Sequence, residues 1–233
     1  MKILHRLAGI FLSFALLIIL LITAFETAMY SDYGVYRKEY EKYDVLSDLG
    51  MTMEDVMYVT GEMMEYLRGN REELSVVTTV EGREQDFFNE QDRFHMGEVR
   101  ELFLGGLALR RWGIGLAVLL AAFLFLTKAD WKKEVPSSVR IGIRIVFAAV
   151  ILIGIAALVD FNAVFVEFHH IFFDNDKWLF DPAEDYMIRM LPEGLFADMT
   201  AKIGLRFAGG ALLLSVATFL PGLAGQRRGK TEP

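Results

Sequence analysis

The run LAGIFLSFALLIILLITAF, Leu7–Phe25, carries no charge and has the length of a membrane crossing. A helix needs about 20 apolar residues to span the bilayer core. Lys2, His5 and Arg6 precede the run, as in the basic flank of a signal peptide. A signal peptide, however, has a shorter apolar core followed by a small-x-small cleavage site. Ala24-Phe25-Glu26 offers no such site, so the run is read as an uncleaved anchor.

Three further runs have the same character. The second is Trp112–Thr127, preceded by apolar Leu102–Leu109 and the pair Arg110-Arg111. Arginine side chains near a helix end reach the headgroups, so this span is placed at 101–127. The third covers about Ile141–Asn162, with Arg144 near its inner end. The fourth covers about Thr200–Leu220, with Lys202 and Arg206 near its outer end and Pro221-Gly222 as its stop. A hydrophobic fraction of 54% in 233 residues agrees with this reading and argues against an ordinary soluble domain. The chain has no cysteine, which excludes a thiolate nucleophile, a cysteine zinc site and a disulfide framework.

Basic residues orient the spans. Lys2 and Arg6 precede the first, Lys128, Lys132, Lys133 and Arg140 lie between the second and third, and Arg227, Arg228 and Lys230 follow the fourth. With four spans all three groups fall on one side, and that side is the cytoplasm. The acid-rich segments Tyr30–Arg100 and Ala163–Glu193 fall on the other. The fold class expected is an all-α membrane protein, with four transmembrane helices and a small mixed α+β extracellular cap between helices 1 and 2. The divisions are 1–29 (N-terminus and helix 1), 30–100 (cap), 101–127 (helix 2), 128–140 (cytoplasmic loop), 141–173 (helix 3 with an outer extension), 174–194 (interfacial segment), 195–221 (helix 4) and 222–233 (tail).

In the cap, Thr52-Met53-Glu54-Asp55 resembles a capping box. Val56, Val59, Met63 and Tyr66 then recur at helical spacing until Gly69-Asn70. Leu74–Val80 reads as a strand, Glu81-Gly82-Arg83 as a turn and Gln85–Phe88 as a short return strand. Asn89 caps a helix that carries Phe94, His95 and Met96 into the second span.

The stretch NAVFVEFHHIFFDNDKWLFDPAEDYMIRMLPEG, Asn162–Gly194, is aromatic and dense in titratable groups. Helical spacing sets Asn162, Phe165, His169 and Phe172 on one face. Trp178 suits a water–lipid interface, Ala183–Leu191 reads as a short helix, and Pro192 opens the last long one. Three of the four histidines, His95, His169 and His170, fall at the outer interface. Spans two and three are sequential and antiparallel, so His95 and His169 sit at neighbouring ends. Two imidazoles there are suited to moving protons near neutral pH. They are equally compatible with interfacial polar residues that do no chemistry. A zinc hydrolase using His95, His169, Asp174 and Asp176 is a further alternative, although no HExxH-type spacing is present.

Phe168-His169, Ile171-Phe172-Phe173, Asn175-Asp176, Trp178, Asp181-Pro182 and Leu191-Pro192-Glu193 together resemble the lipoprotein intramolecular transacylase (Lit) family. Phe94-His95-Met96, with Val99 and Leu102-Phe103 after it, resembles that family's other marked segment. The resemblance implies an acyltransferase of the bacterial cytoplasmic membrane, acting at its extracellular face. Its partners would be diacylated bacterial lipoproteins and membrane lipids, with no nucleic acid, no cofactor and no metal. It implies movement of the sn-2 acyl chain of a diacylglyceryl-cysteine to the α-amino group, leaving a lyso-form lipoprotein. It places the chemistry on His95 and His169. His169 is assigned the base and His95 the oxyanion or the leaving-group proton, two roles that are exchangeable. Phe165, Phe168, Phe172, Phe173 and Trp178 are expected to form a water-excluding pocket, bordered by Asn162, Asn175, Asp176 and Arg206. Arg110, Arg111, Lys202 and Arg206 are expected to snorkel, contact headgroups, or pair with Asp174, Asp176 or Glu193. The competing reading is a non-catalytic membrane protein, a sensor or assembly factor that binds through its cap.

Overall fold

The computed structural model describes residues 1–219. The expected stop at Pro221-Gly222 and the basic tail Arg227, Arg228 and Lys230 lie outside them. The elements are α1 (Lys2–Tyr30), α2 (Gly34–Lys42), α3 (Val45–Leu49), α4 (Met53–Leu67), β1 (Val77–Val80), β2 (Arg83–Asp86), α5 (Glu90–Leu126), α6 (Glu134–Val159), α7 (Phe161–Phe172), α8 (Tyr186–Met190) and α9 (Glu193–Ala217). Four of them, α1, α5, α6 and α9, are long and apolar enough to cross a membrane.

The chain forms two compact units. Among the described residues the first comprises 1–25, 108–156 and 203–219, and the second 26–107 and 157–202. In the first, large apolar side chains such as Trp112, Leu119, Leu126 and Leu205 are exposed along the helices. In water that surface would be costly; in a bilayer the lipid covers it. Small residues draw α1 and α6 together. A Cβ on Gly9 would lie 2.7 Å from Ser138 Cβ, and one on Gly142 would lie 1.7 Å from Ser13 Oγ. The motifs Gly9-x-x-x-Ser13 and Ser138-x-x-x-Gly142 thus pair in ascending order, so the two helices run in the same direction. Close approach through small residues supplies the van der Waals contact that holds helices together in lipid.

The same end of this unit gathers the segments that the charge pattern assigns to one side. His5 Nε2 lies 3.0 Å from Thr127 Oγ1, and His5 Nδ1 lies 3.6 Å from Glu134. Arg140 donates to the carbonyl of Thr218 at 3.2 Å. The start of α1, the α5–α6 connection and the end of α9 therefore share one end of the bundle, as an even number of spans requires.

The second unit has its own core, built on Tyr36, Tyr40, Leu49, Val56, Val59, Met64, Val76, Val80, Phe87 and Phe88, and closed by Met187, Met190, Leu191 and Leu195. The buried Tyr40 hydroxyl is satisfied by Thr60 at 2.6 Å. The Thr52 side chain caps α4 by accepting from Asp55 N. The hairpin β1–β2 pairs Val80 with Arg83. Its two-residue loop, Glu81-Gly82, has positive φ at both positions, which is the turn that matches strand twist. The return strand therefore begins at Arg83, two residues before the Gln85 expected from sequence.

Other boundaries also differ. Helix 3 and its outer extension, expected over 141–173, fold as α6 and α7. Asp160 is extended, and its side chain accepts from Ala163 N at 2.9 Å. It ends α6 and caps α7, a competition for backbone donors at which Asp excels. Helix α6 starts at Glu134, within the expected 128–140 loop. Pro136 is no obstacle there, because the first turn has no intrahelical acceptor for its missing N–H. Helix α8 spans only Tyr186–Met190 of the expected Ala183–Leu191.

Candidate active site

Helix α5 is 37 residues long, roughly 55 Å at 1.5 Å per residue, well beyond a bilayer core of about 30 Å. Its first turns, His95 among them, belong to the second unit. Asn89 starts it with a reciprocal cap. Asn89 Oδ1 accepts from Asp92 N at 2.9 Å, and Asp92 Oδ2 accepts from Asn89 N at 3.0 Å. Asp92 is fully buried, and burial together with neighbouring Asp185 pushes its carboxyl up to about 7.

The segment 173–185 is tied along this helix start. Asn89 Nδ2 donates to Asp185, Gln91 Nε2 donates to the carbonyls of Lys177 (3.1 Å) and Leu179 (3.0 Å), and Asn175 Nδ2 donates to Glu98 Oε1 at 2.7 Å. These bonds pin a chain with little regular structure and place Trp178 and Phe180 beside the histidines.

His95 and His169 stack with ring centroids 5.8 Å apart, both nearly buried. Around them stand Phe173 (4.9 Å from His95, 5.4 Å from His169), Phe180 (5.5 Å from His95), Phe165 (4.2 Å from His169) and Trp178 (4.7 Å from His169). His169 Nδ1 lies 2.7 Å from the Phe165 carbonyl. A carbonyl only accepts, so Nδ1 carries the hydrogen and Nε2 presents its lone pair. Trp178 is buried, and its indole N–H has no acceptor.

Burial and the adjacent His169 pull His95 down to about 4. His169 is also lowered, chiefly by burial and further by His170, against the opposing pull of the Phe165 carbonyl. Both imidazoles are therefore neutral at neutral pH. The sign of the linkage follows. Unfolded histidine titrates near 6.5, so as pH falls the unfolded chain takes up these protons first. Stability is lost from about 6.5 towards 4. Thermal denaturation in detergent is expected to fall more between pH 7 and 5 for wild type than for His95→Gln. Equal losses in the two proteins would contradict this.

The remaining expected pocket residues divide. Phe168 is 5.5 Å from His169 and packs on Phe172 at 4.7 Å, both rings partly exposed. Asn162 is exposed and bonds Glu193 at 3.1 Å rather than approaching the histidines. Asp176 is exposed and contributes its carbonyl to Leu179 N. Arg206 is exposed on the part of α9 that belongs to the first unit. Lys202 pairs with Glu39 at 2.5 Å, not with Asp174, Asp176 or Glu193. Among the described residues no three His, Asp or Glu side chains lie close enough to hold a metal ion. Sequence reasoning missed Phe180, Phe196 (5.2 Å from Phe165) and Glu98. For Glu98 the signal was present, as a carboxylate three residues after His95 on one helical face.

The comparisons with known proteins agree with this architecture. The family model for Lipoprotein intramolecular transacylase Lit matches residues 10–196. The solved structure of the membrane integral lipoprotein intramolecular transacylase Lit from Bacillus cereus is similar, with a TM-score of 0.78 and 20% identity, covering 98% of this chain and 100% of that one. A variant of that protein with a histidine changed to alanine matches with a TM-score of 0.71 and 20% identity, over 96% of each chain. No curated protein matches by sequence. At this identity the solved structures establish the fold, and the family model, covering most of the chain, establishes the family. The chain belongs to the lipoprotein intramolecular transacylase Lit family, and it is a membrane-integral acyltransferase that moves an acyl chain within a lipoprotein.

Proposed function

We propose that the substrate is a diacylated lipoprotein, and that its sn-2 acyl chain moves from the glyceryl group to the α-amino group of the N-terminal cysteine. The site faces the outside of the cell, and both chain ends are cytoplasmic. The observation that carries this reading is the pair of stacked, nearly buried imidazoles enclosed by aromatic rings.

The proton count suits two such groups. An α-ammonium carries two protons more than an amide nitrogen. One must leave before the nitrogen can attack the ester carbonyl. The other leaves as the tetrahedral intermediate collapses, while the departing glyceryl oxygen gains one. The balance is one proton released per transfer. His169, with Nε2 open, takes the first proton; His95 carries the second from nitrogen to the leaving oxygen. The unpartnered Trp178 N–H is a donor for the oxyanion. Nucleophile and ester belong to one molecule, so no acyl-enzyme is needed. Holding them together removes much of the barrier, and the aromatic walls exclude the water that would hydrolyse the ester.

Purified protein should convert a synthetic diacyl lipopeptide with a free α-amine to the lyso form. The same lipopeptide with its amine acetylated should give neither lyso product nor free fatty acid above the blank. Fatty acid release from the blocked substrate would show that water is the acceptor, and the reading would fail.

A further inference from the structure

We propose that Glu98 is the positioning residue for His95: its carboxylate receives the Nδ1–H of His95, turns Nε2 toward the substrate and holds the imidazolium that forms during transfer. The proposal rests on the proton-carrying role of His95 given above.

Glu98 Oε2 lies 3.8 Å from His95 Nδ1, one turn along the same helix. At that separation the two are not hydrogen-bonded, and neither has another partner: both atoms are buried and unsatisfied. Buried polar atoms are nearly always paired, so exceptions call for an explanation. These two exceptions are complementary, one a donor and the other an acceptor, and lie 3.8 Å apart. A contraction of about 1 Å, within side-chain rotamer adjustment, brings them to bonding distance.

The carboxylate is itself held. Its Oε1 accepts from Asn175 Nδ2 at 2.7 Å, and Asn175 Oδ1 accepts from Lys177 N at 2.9 Å. The Lys177 contact fixes which end of the Asn175 amide faces Glu98. The arrangement has the logic of a base oriented by a third group. The other charged groups nearby do not duplicate it. His169 stacks on His95 from α7 and repels its positive form. Arg93 is paired with Asp86, Asp92 is engaged by Asn89, and Asp174, Asp176 and Lys177 are exposed. Phe173 and Phe180 supply the apolar walls. His169 has only a carbonyl behind its Nδ1, so among the two histidines His95 alone has a counter-charge in reach.

Glu98→Gln is the informative substitution. Its amide oxygen still accepts from Asn175, so the local fold is kept, but the charge is lost and the NH2 cannot accept from Nδ1. Two readouts are expected in the full-length protein. In nitrogen-15 spectra of labelled histidine at pH 7, His95 carries its hydrogen on Nδ1 in wild type and shifts toward the Nε2–H form in Glu98→Gln. In the lipopeptide assay kcat falls about 10- to 100-fold with KM changed less than threefold. An unchanged tautomer, or a kcat within twofold of wild type, overturns the proposal. The spectra need no turnover. A wild type that fails to transfer acyl chains therefore refutes the proposed reaction, while the tautomer alone still decides the contact.

Discussion

Alanine at His169 is expected to slow acyl transfer by about 10²- to 10⁴-fold, the range for losing a positioned general base. The substitution removes the one nitrogen whose lone pair is fixed by geometry, because Nδ1 is committed to the Phe165 carbonyl. The substrate then stays an ammonium in an apolar enclosure and cannot attack. The loss is expected in kcat, since the aromatic rings around the histidines remain. His95→Ala is expected to lie in the same range. The double variant should be far less impaired than the product of the two losses, because groups serving one proton path act as a unit. Initial rates of lyso-lipopeptide formation by the purified variants check this. Variants that keep their thermal midpoint and transfer within fivefold of wild type would remove both histidines from the mechanism.

The second large effect is on the fold. Gly142→Leu is expected to collapse the yield of folded protein, because the new Cβ falls 1.7 Å from Ser13 Oγ, 3.0 Å from Ser13 Cβ and 3.4 Å from the carbonyl of Ile10. Ser13 cannot simply yield, since its hydroxyl donates to that carbonyl at 2.6 Å. Overpacking costs about 1–3 kcal/mol, and α1 would have to move away from α6 along the whole Gly9–Ser13 contact. Gly154→Leu on the same helix meets nothing within 4 Å and should cost little. Fluorescence-detected size exclusion and the thermal midpoint in detergent measure the difference. Equal behaviour of the two variants would show that the α1–α6 contact does not hold the bundle together.

Much of this architecture is legible in sequence because the membrane imposes it. Leu7–Phe25 has no folded alternative to a span, and the basic clusters put its start and the α5–α6 connection on one side, where His5 meets Thr127. Turn and cap chemistry was nearly as clear at Thr52, Gly82 and Asn89. Asp160 was overlooked because the apolar pattern continues on both sides of it; only its capping bond to Ala163 N reveals the break.

The approach of His95 to His169 was readable from their placement at neighbouring helix ends. Their surroundings were not. Glu39, 163 residues from Lys202, captures it in place of the nearer acids, and no periodicity encodes so distant a pairing. Phe180 reaches His95 because Gln91 fastens the backbone on either side of Trp178, a loop path without a repeat. Glu98 shares a helical face with His95 in the sequence, but its hold by Asn175, 77 residues away, follows no periodicity.

The central claim is that the acyl chain stays on the lipoprotein and changes position. Tandem mass spectrometry of the N-terminal lipopeptide tests it directly, using a model lipoprotein co-expressed with the wild-type chain in a host lacking its own N-acylating enzyme. The expected lipopeptide has an unchanged total mass, with one acyl chain in an amide on the cysteine nitrogen and a single ester left on the glyceryl group. A lipopeptide that still carries both esters, from cells in which the protein is properly inserted, would contradict it.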